Sequence, residues 1–224
     1  MAAPFLGFLA AIPGVGWAAA GAVAVGAAVV GLAYAFSDDD KDKKPKKPEK
    51  IIFLTGETGV GKDTIWHILK GGKFENHNAT SKLEKDEFEI FENRICLINT
   101  AGARDNDDEN LRARRDLQIG AIYIYVFKAN YYFADDNIKK QIVLDLEAHK
   151  EMCQRESFEL KIIGTHRDKC PKDIGEAQIQ KLINEIGDKG KYKCQVFDLT
   201  QFNGKTKQRE LYDFITTSND LIIS

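Results

Sequence analysis

The stretch IIFLTGETGVGKDTIWHIL (51–69) constrains the fold more than any other part of the chain. "IIFLT" is a short, continuously apolar run, as expected for a strand buried on both faces. "TIWHIL" opens a helical pattern, and a GxxxxGK loop joins the two. Glycines let consecutive backbone N–H groups converge on phosphate oxygens, and the N-terminus of the following helix adds its dipole. Lys62 supplies a point charge to the β- and γ-phosphates of a nucleotide. Gly56, Glu57, Thr58, Gly59, Val60, Gly61, Lys62, Asp63 and Thr64 are therefore candidate nucleotide-binding residues.

Further strands are expected at "RICLINT" (94–100), "AIYIYVF" (121–127), "ELKIIGT" (159–165) and "CQVFDL" (194–199), with "DEFEIFE" (86–92) an alternating, half-wet edge strand. Ile138, Ile142 and Leu146 mark one helical face. Ile179, Leu182, Ile183 and Ile186 mark a second, and Leu211, Phe214 and Ile215 begin a third. The aromatic run "YIYVFKANYYF" (123–133) has the character of a central strand rather than a stacking platform. Strand–helix alternation predicts an α/β domain of three layers, a mainly parallel sheet with helices on both faces. Ligands of such sheets bind at the carboxyl ends of the strands.

The segment GETGVGKDTIWHILKGGKFENHNATSK is similar to the opening of the immunity-associated (GIMAP-type) GTPases and their plastid import-receptor relatives. The resemblance spans roughly residues 51–216 and implies a P-loop GTPase fold that binds GTP or GDP with Mg²⁺. It implies that Thr80 is the switch threonine completing the Mg²⁺ shell, with Ser81 an alternative occupant. Asn99-Thr100-Ala101-Gly102 stands where the family has DTPG, which implies that the Gly102 N–H could bond the γ-phosphate. Asn99 there replaces the Asp that holds a metal-bound water. Thr165-His166-Arg167-Asp168 resembles [NT]KxD. The resemblance implies that Asp168 would accept from the guanine N1–H and 2-amino group, which adenine lacks, and that His166 replaces the Lys that packs on the base. Asn203, in "FNG", matches the segment near guanine.

Asp63 departs from the Ser or Thr normal at its position. Either its carboxylate binds Mg²⁺ directly, supplying the negative charge that Asn99 no longer does, or it repels the β-phosphate. The expectation is retained nucleotide binding with altered Mg²⁺ coordination, Asp63 and Thr80 being the candidate metal ligands. "ARDNDDENLRARRD" (103–116) offers no glutamine to orient an attacking water, so slow hydrolysis and no hydrolysis are both open; Arg104 or a partner's residue could stabilise the transition state. This charge-rich stretch is expected to be a solvated loop. Loops 72–82 and 102–115 would respond to nucleotide and control a partner or a GTP-dependent homodimer. Two rivals stand beside this reading: a membrane scaffold with a degenerate G domain, and an ATP-using enzyme, which "THRD" disfavours.

Residues 2–36 carry no charged side chain, whereas 38–50, "DDDKDKKPKKPEK", are almost wholly charged or proline. The 20-residue stretch 17–36 would make a helix of ~30 Å, the thickness of a bilayer's hydrocarbon core. Trp17, Tyr34 and Phe36 suit the two interfaces. A single span, or a hairpin turning at Pro13-Gly14, is expected, with a signal peptide, a buried helix and an unstructured tail as alternatives. The following lysines favour a cytoplasmic domain beside anionic headgroups. The chain thus divides into an anchor (1–36), a stiff charged linker (37–50) and a G domain (51–224). A net charge of −2 gives no reason to expect nucleic-acid binding. The four cysteines lack CxxC pairing and read as reduced structural thiols.

Overall fold

The computed structural model describes residues 47–71, 82–102 and 107–218. β1 (Lys50–Thr55), β2 (Glu84–Ile90), β3 (Asn93–Asn99), β4 (Ile122–Lys128), β5 (Glu159–Thr165) and β6 (Lys193–Val196) form one sheet. Its order is β2-β3-β1-β4-β5-β6. Every neighbouring pair is parallel except β2–β3. The expected α/β class and mainly parallel sheet are what the chain adopts, and the alternating segment is the antiparallel edge strand. Phe91 and Glu92 turn that hairpin with φ of 48° and 68°. Two positive φ values match the right-handed twist of the flanking strands.

The helices are α1 (Lys62–Leu69), α2 (Asp107–Arg115), α3 (Ala129–Ala134), α4 (Asp136–Glu156), α5 (Glu176–Ile186) and α6 (Lys205–Thr216). Because side chains alternate across a strand, β4 feeds two cores at once. Ile122, Ile124 and Val126 pack with α1 and α6. Tyr123, Tyr125 and Phe127 face the other way, against α4 and α5. The aromatic run is therefore core, but it is strand only as far as Lys128. Ala129–Ala134 is helical, and Asp135 then caps α4 by accepting from the N–H groups of Asn137 (2.7 Å) and Ile138 (3.1 Å).

Three further expectations need correction. Residues 107–115 are helical rather than a loop. The strand expected over 194–199 ends at Val196, because Asp198 caps a short 3₁₀ turn at Leu199–Gln201. Ile138 stays 37% exposed in the first turn of α4, while Ile142 and Leu146 are buried. At the other end of the sheet, lysines from three strands hold the C-terminus of α6. Lys50 Nζ donates to the Thr216 carbonyl at 3.0 Å, and Lys161 and Lys193 Nζ donate to that of Thr217 at 2.6 and 2.9 Å. Cations at this end also complement the helix dipole.

All four cysteines are free. Burial pushes the Cys153 and Cys194 thiols up to about 12, so they are inert. Among the described residues no helix is long and apolar enough to cross a membrane. The expected anchor, the linker as far as residue 46, Thr80, Ser81 and Arg104 all lie outside the described residues.

Candidate functional site

β1 lies between β3 and β4, so the loop that leaves it emerges at the middle of the sheet's carboxyl edge. Gly56 turns the chain there with φ of 137°, and any Cβ would stand 2.1 Å from the Val126 carbonyl oxygen. Only glycine fits so close to β4. The loop curls back to Lys62, which is 5% exposed and donates from Nζ to the carbonyls of Gly56 and Glu57, both at 2.8 Å. Burial lowers the ammonium to about 8, against the raising influence of Asp63 and Glu57. It stays mostly protonated at neutral pH, a cation held inside a ring of backbone.

Gly102, at the end of "NTAG", packs directly on this loop. A Cβ there would lie 2.4 Å from the Thr58 nitrogen and 2.6 Å from its Cα. Asn110 of α2 holds the same segment, donating from Nδ2 to the Ala101 carbonyl at 2.9 Å. Behind them is a cavity of about 430 Å³ lined by Gly56, Glu57, Arg114, Tyr125, Asp145 and His149, among others. The Tyr123 hydroxyl and His149 Nδ1 are 3.1 Å apart on its wall, and burial lowers His149 to about 4.

On the loop's other side, Thr165 Oγ1 donates to the Val60 carbonyl at 2.6 Å and lies 3.1 Å from that of Phe127 and 2.8 Å from His166 Nδ1. Its methyl sits where a Cβ on Gly61 would meet it at 3.3 Å. His166 takes φ of 56° and begins a 3₁₀ turn, Arg167–Lys169, which leaves Asp168 exposed. Burial, then Lys169 and Lys128, lower the His166 imidazole. Asp168 lines a second cavity, about 460 Å³, with Phe197, Asp198, Gln201, Phe202 and Lys207. Asn203 is exposed just past Phe202.

The structure thus brings the GxxxxGK loop, Gly102 and Thr165 into direct contact. Asp168 belongs to a cavity other than the one Gly56 and Glu57 line, and Thr165, three residues before Asp168, bonds the loop at the Val60 carbonyl. Thr64 follows Asp63 in the first turn of α1 and is half-buried.

Asn99 is fully buried and donates from Nδ2 to Asp63 Oδ1 at 2.6 Å and to Glu84 Oε2 at 3.5 Å. Its Oδ1 is buried without a hydrogen-bond partner. Among the described residues no group of three or more His, Cys, Asp or Glu side chains is set to hold a metal by itself. Two groups here escaped the sequence. Glu84 opens the edge strand, two residues before the alternating segment begins, and no local signal ties it to Asn99. Lys128 ends β4 with its ammonium near Gly59, and its place at a strand's carboxyl end was the signal available. No protein-family model matches the chain, and no curated protein matches it.

Proposed function

We propose that residues 51–216 are a P-loop guanine-nucleotide-binding domain of the GIMAP-like kind, carried at a membrane by the apolar N-terminal segment and facing the cytoplasm. The hydrogen bond from Thr165 Oγ1 to the Val60 carbonyl carries this reading. It ties the strand end that bears Asp168 to the loop that bears Lys62, which supports one ligand engaging both.

In this reading the loop N–H groups from Gly56 to Gly61 hold the phosphates, and the Lys62 ammonium neutralises the β- and γ-oxygens. Thr64 bonds the α-phosphate and Gly102 N–H the γ-phosphate. Asp168 accepts from the guanine edge, with His166 and Asn203 beside the base. Adenine offers an acceptor where guanine has its N1–H and so gains no such bonds from Asp168, which is the basis for discrimination.

The donor set fits Mg²⁺. This ion takes one or two carboxylates together with substrate phosphates. Asp63 offers such a carboxylate, Asn99 Oδ1 is a buried oxygen without a partner, and Thr80 is the third candidate. When bound, the ion would offset the negative charge of the phosphates. Asp63 meanwhile restores the negative charge that Asn99 lacks.

Calorimetry with GTP, GDP and ATP, with and without Mg²⁺, tests the proposal. GTP and GDP should bind, ATP roughly tenfold or more weakly, and Lys62→Ala should abolish binding. Equal affinity for ATP, or indifference to Lys62→Ala, overturns it. Nucleotide acting on segments 72–82 and 102–115 would drive self-association, and equal sedimentation with GDP, a GTP analogue and no nucleotide defeats that part.

A second reading, a scaffold that binds GTP without turning it over, is favoured by the Asp63–Asn99 contact and by the absence of glutamine from 103–115. Phosphate release from bound GTP separates the two.

A further inference from the structure

We propose that Lys128, the last residue of β4, is a second phosphate-binding cation of the loop, working beside Lys62 on the polyphosphate of the nucleotide. Its Nζ lies 3.7 Å from the point where a Cβ on Gly59 would stand, so the ammonium sits against the crown of the loop. It rests over the Tyr131 ring, 4.6 Å from the centroid, in the short helix that follows β4. Lys128 also contributes to lowering the His166 imidazole, so its charge is felt at the THRD segment as well as at the loop.

Among the described residues no carboxylate forms an ion pair with Lys128. An aromatic face orients an ammonium without neutralising it, so the charge stays available to an incoming anion. The local charge balance calls for such a group. Glu57 and Asp63 put two carboxylates beside the single buried cation Lys62. A polyphosphate adds several more negative charges at the same place. Lys128 is the cation from a neighbouring strand that faces the loop's outer curve, whereas Lys62 fills its interior. Lysine suits the role because it meets phosphate as a mobile point charge.

This inference rests on the nucleotide reading. The test uses the full chain, with Lys128→Met to keep the stem, Lys128→Arg to keep the charge, and four ligands: GTP, ATP, guanosine and inorganic tripolyphosphate. Lys128→Met should weaken GTP and tripolyphosphate roughly ten- to thirtyfold, as expected for a charge-assisted contact. It should leave guanosine unchanged and flatten the salt dependence of binding. Lys128→Arg should stay within about threefold of the parent, since it retains the charge. Urea melts of each variant report whether the loop still folds.

Unchanged GTP and tripolyphosphate affinity in Lys128→Met overturns the proposal while the nucleotide reading stands. An equal loss for guanosine also overturns it, because the lysine would then be shaping the site as a whole. If GTP and ATP bind alike but Lys128→Met still loses tripolyphosphate, the guanine reading falls and Lys128 keeps its role. A parent protein that binds none of the phosphate ligands refutes both.

Discussion

Asn99 Nδ2 donates to Asp63 Oδ1 across 2.6 Å, joining the end of β3 to the first turn of α1. The two residues are 36 apart in sequence, and each departs from the motif it resembles. The amide contact makes a carboxylate tolerable at position 63. Asn99→Asp would set two carboxylates against each other, one fully buried and one half-buried, at a cost of roughly 2–4 kcal/mol near neutral pH. A shared proton raises the folded-state affinity for protons, so the lost stability should return as pH falls from 8 toward 5. Urea melts across that range check this, and Asp63→Ser combined with Asn99→Asp should recover most of the loss.

Thr165→Val keeps the shape of the side chain but leaves the Val60 carbonyl without its buried donor. A loss of about 1–3 kcal/mol is expected, and Thr165→Ser should keep most of the stability. If the loop depends on this bond, nucleotide affinity should fall with it. Chemical denaturation and calorimetry on the same samples read both effects.

Gly102→Ala would drive a methyl to within 2.4 Å of the Thr58 nitrogen. The backbone of one segment must then move, at about 1–3 kcal/mol. Thermal melts without ligand should show the loss. The effect on GTP should exceed that on guanosine, because the contact sits on the phosphate side.

His149 makes stability pH-dependent. Its folded-state value, lowered by burial to about 4, lies below the ordinary 6.5, so the unfolded chain binds the proton more readily. Its contribution is complete above 6.5 and is lost as pH falls toward 4. The full effect is roughly 3 kcal/mol. His149→Gln should flatten the pH dependence of urea midpoints over that interval, whatever its effect at pH 7.

Lys62 is a buried cation held by the Gly56 and Glu57 carbonyls, its ammonium lowered to about 8 by burial. Burying a charge is costly, but Lys62→Met also leaves the Gly56 and Glu57 carbonyls without their donor, so the ligand-free fold should stay within about 1 kcal/mol of the parent while GTP binding is abolished. In the parent, GTP affinity should decline as pH rises past 8 and the ammonium deprotonates. Melts paired with calorimetry at pH 7 and 9 test this.

Local pattern carried the sheet because strand character, helical period and the glycine punctuation around residues 56–61 are properties of neighbours in sequence. It failed where a strand's apolar character runs on into a helix, as at Ala129–Ala134, and where a highly charged stretch winds into α2. In both places short-range polarity resembles that of another structure. The loop could be read from its own residues and their strand–helix context, whereas the roles of its companion segments came from the family resemblance. Which groups touch followed from neither. Asp63 meets Asn99, Thr165 meets Val60 and Lys128 stands over Gly59 only because the parallel sheet brings the ends of β1, β3, β4 and β5 to one edge. Distance along the chain says nothing about distance across that edge, so charge balance around the loop emerges only with the fold.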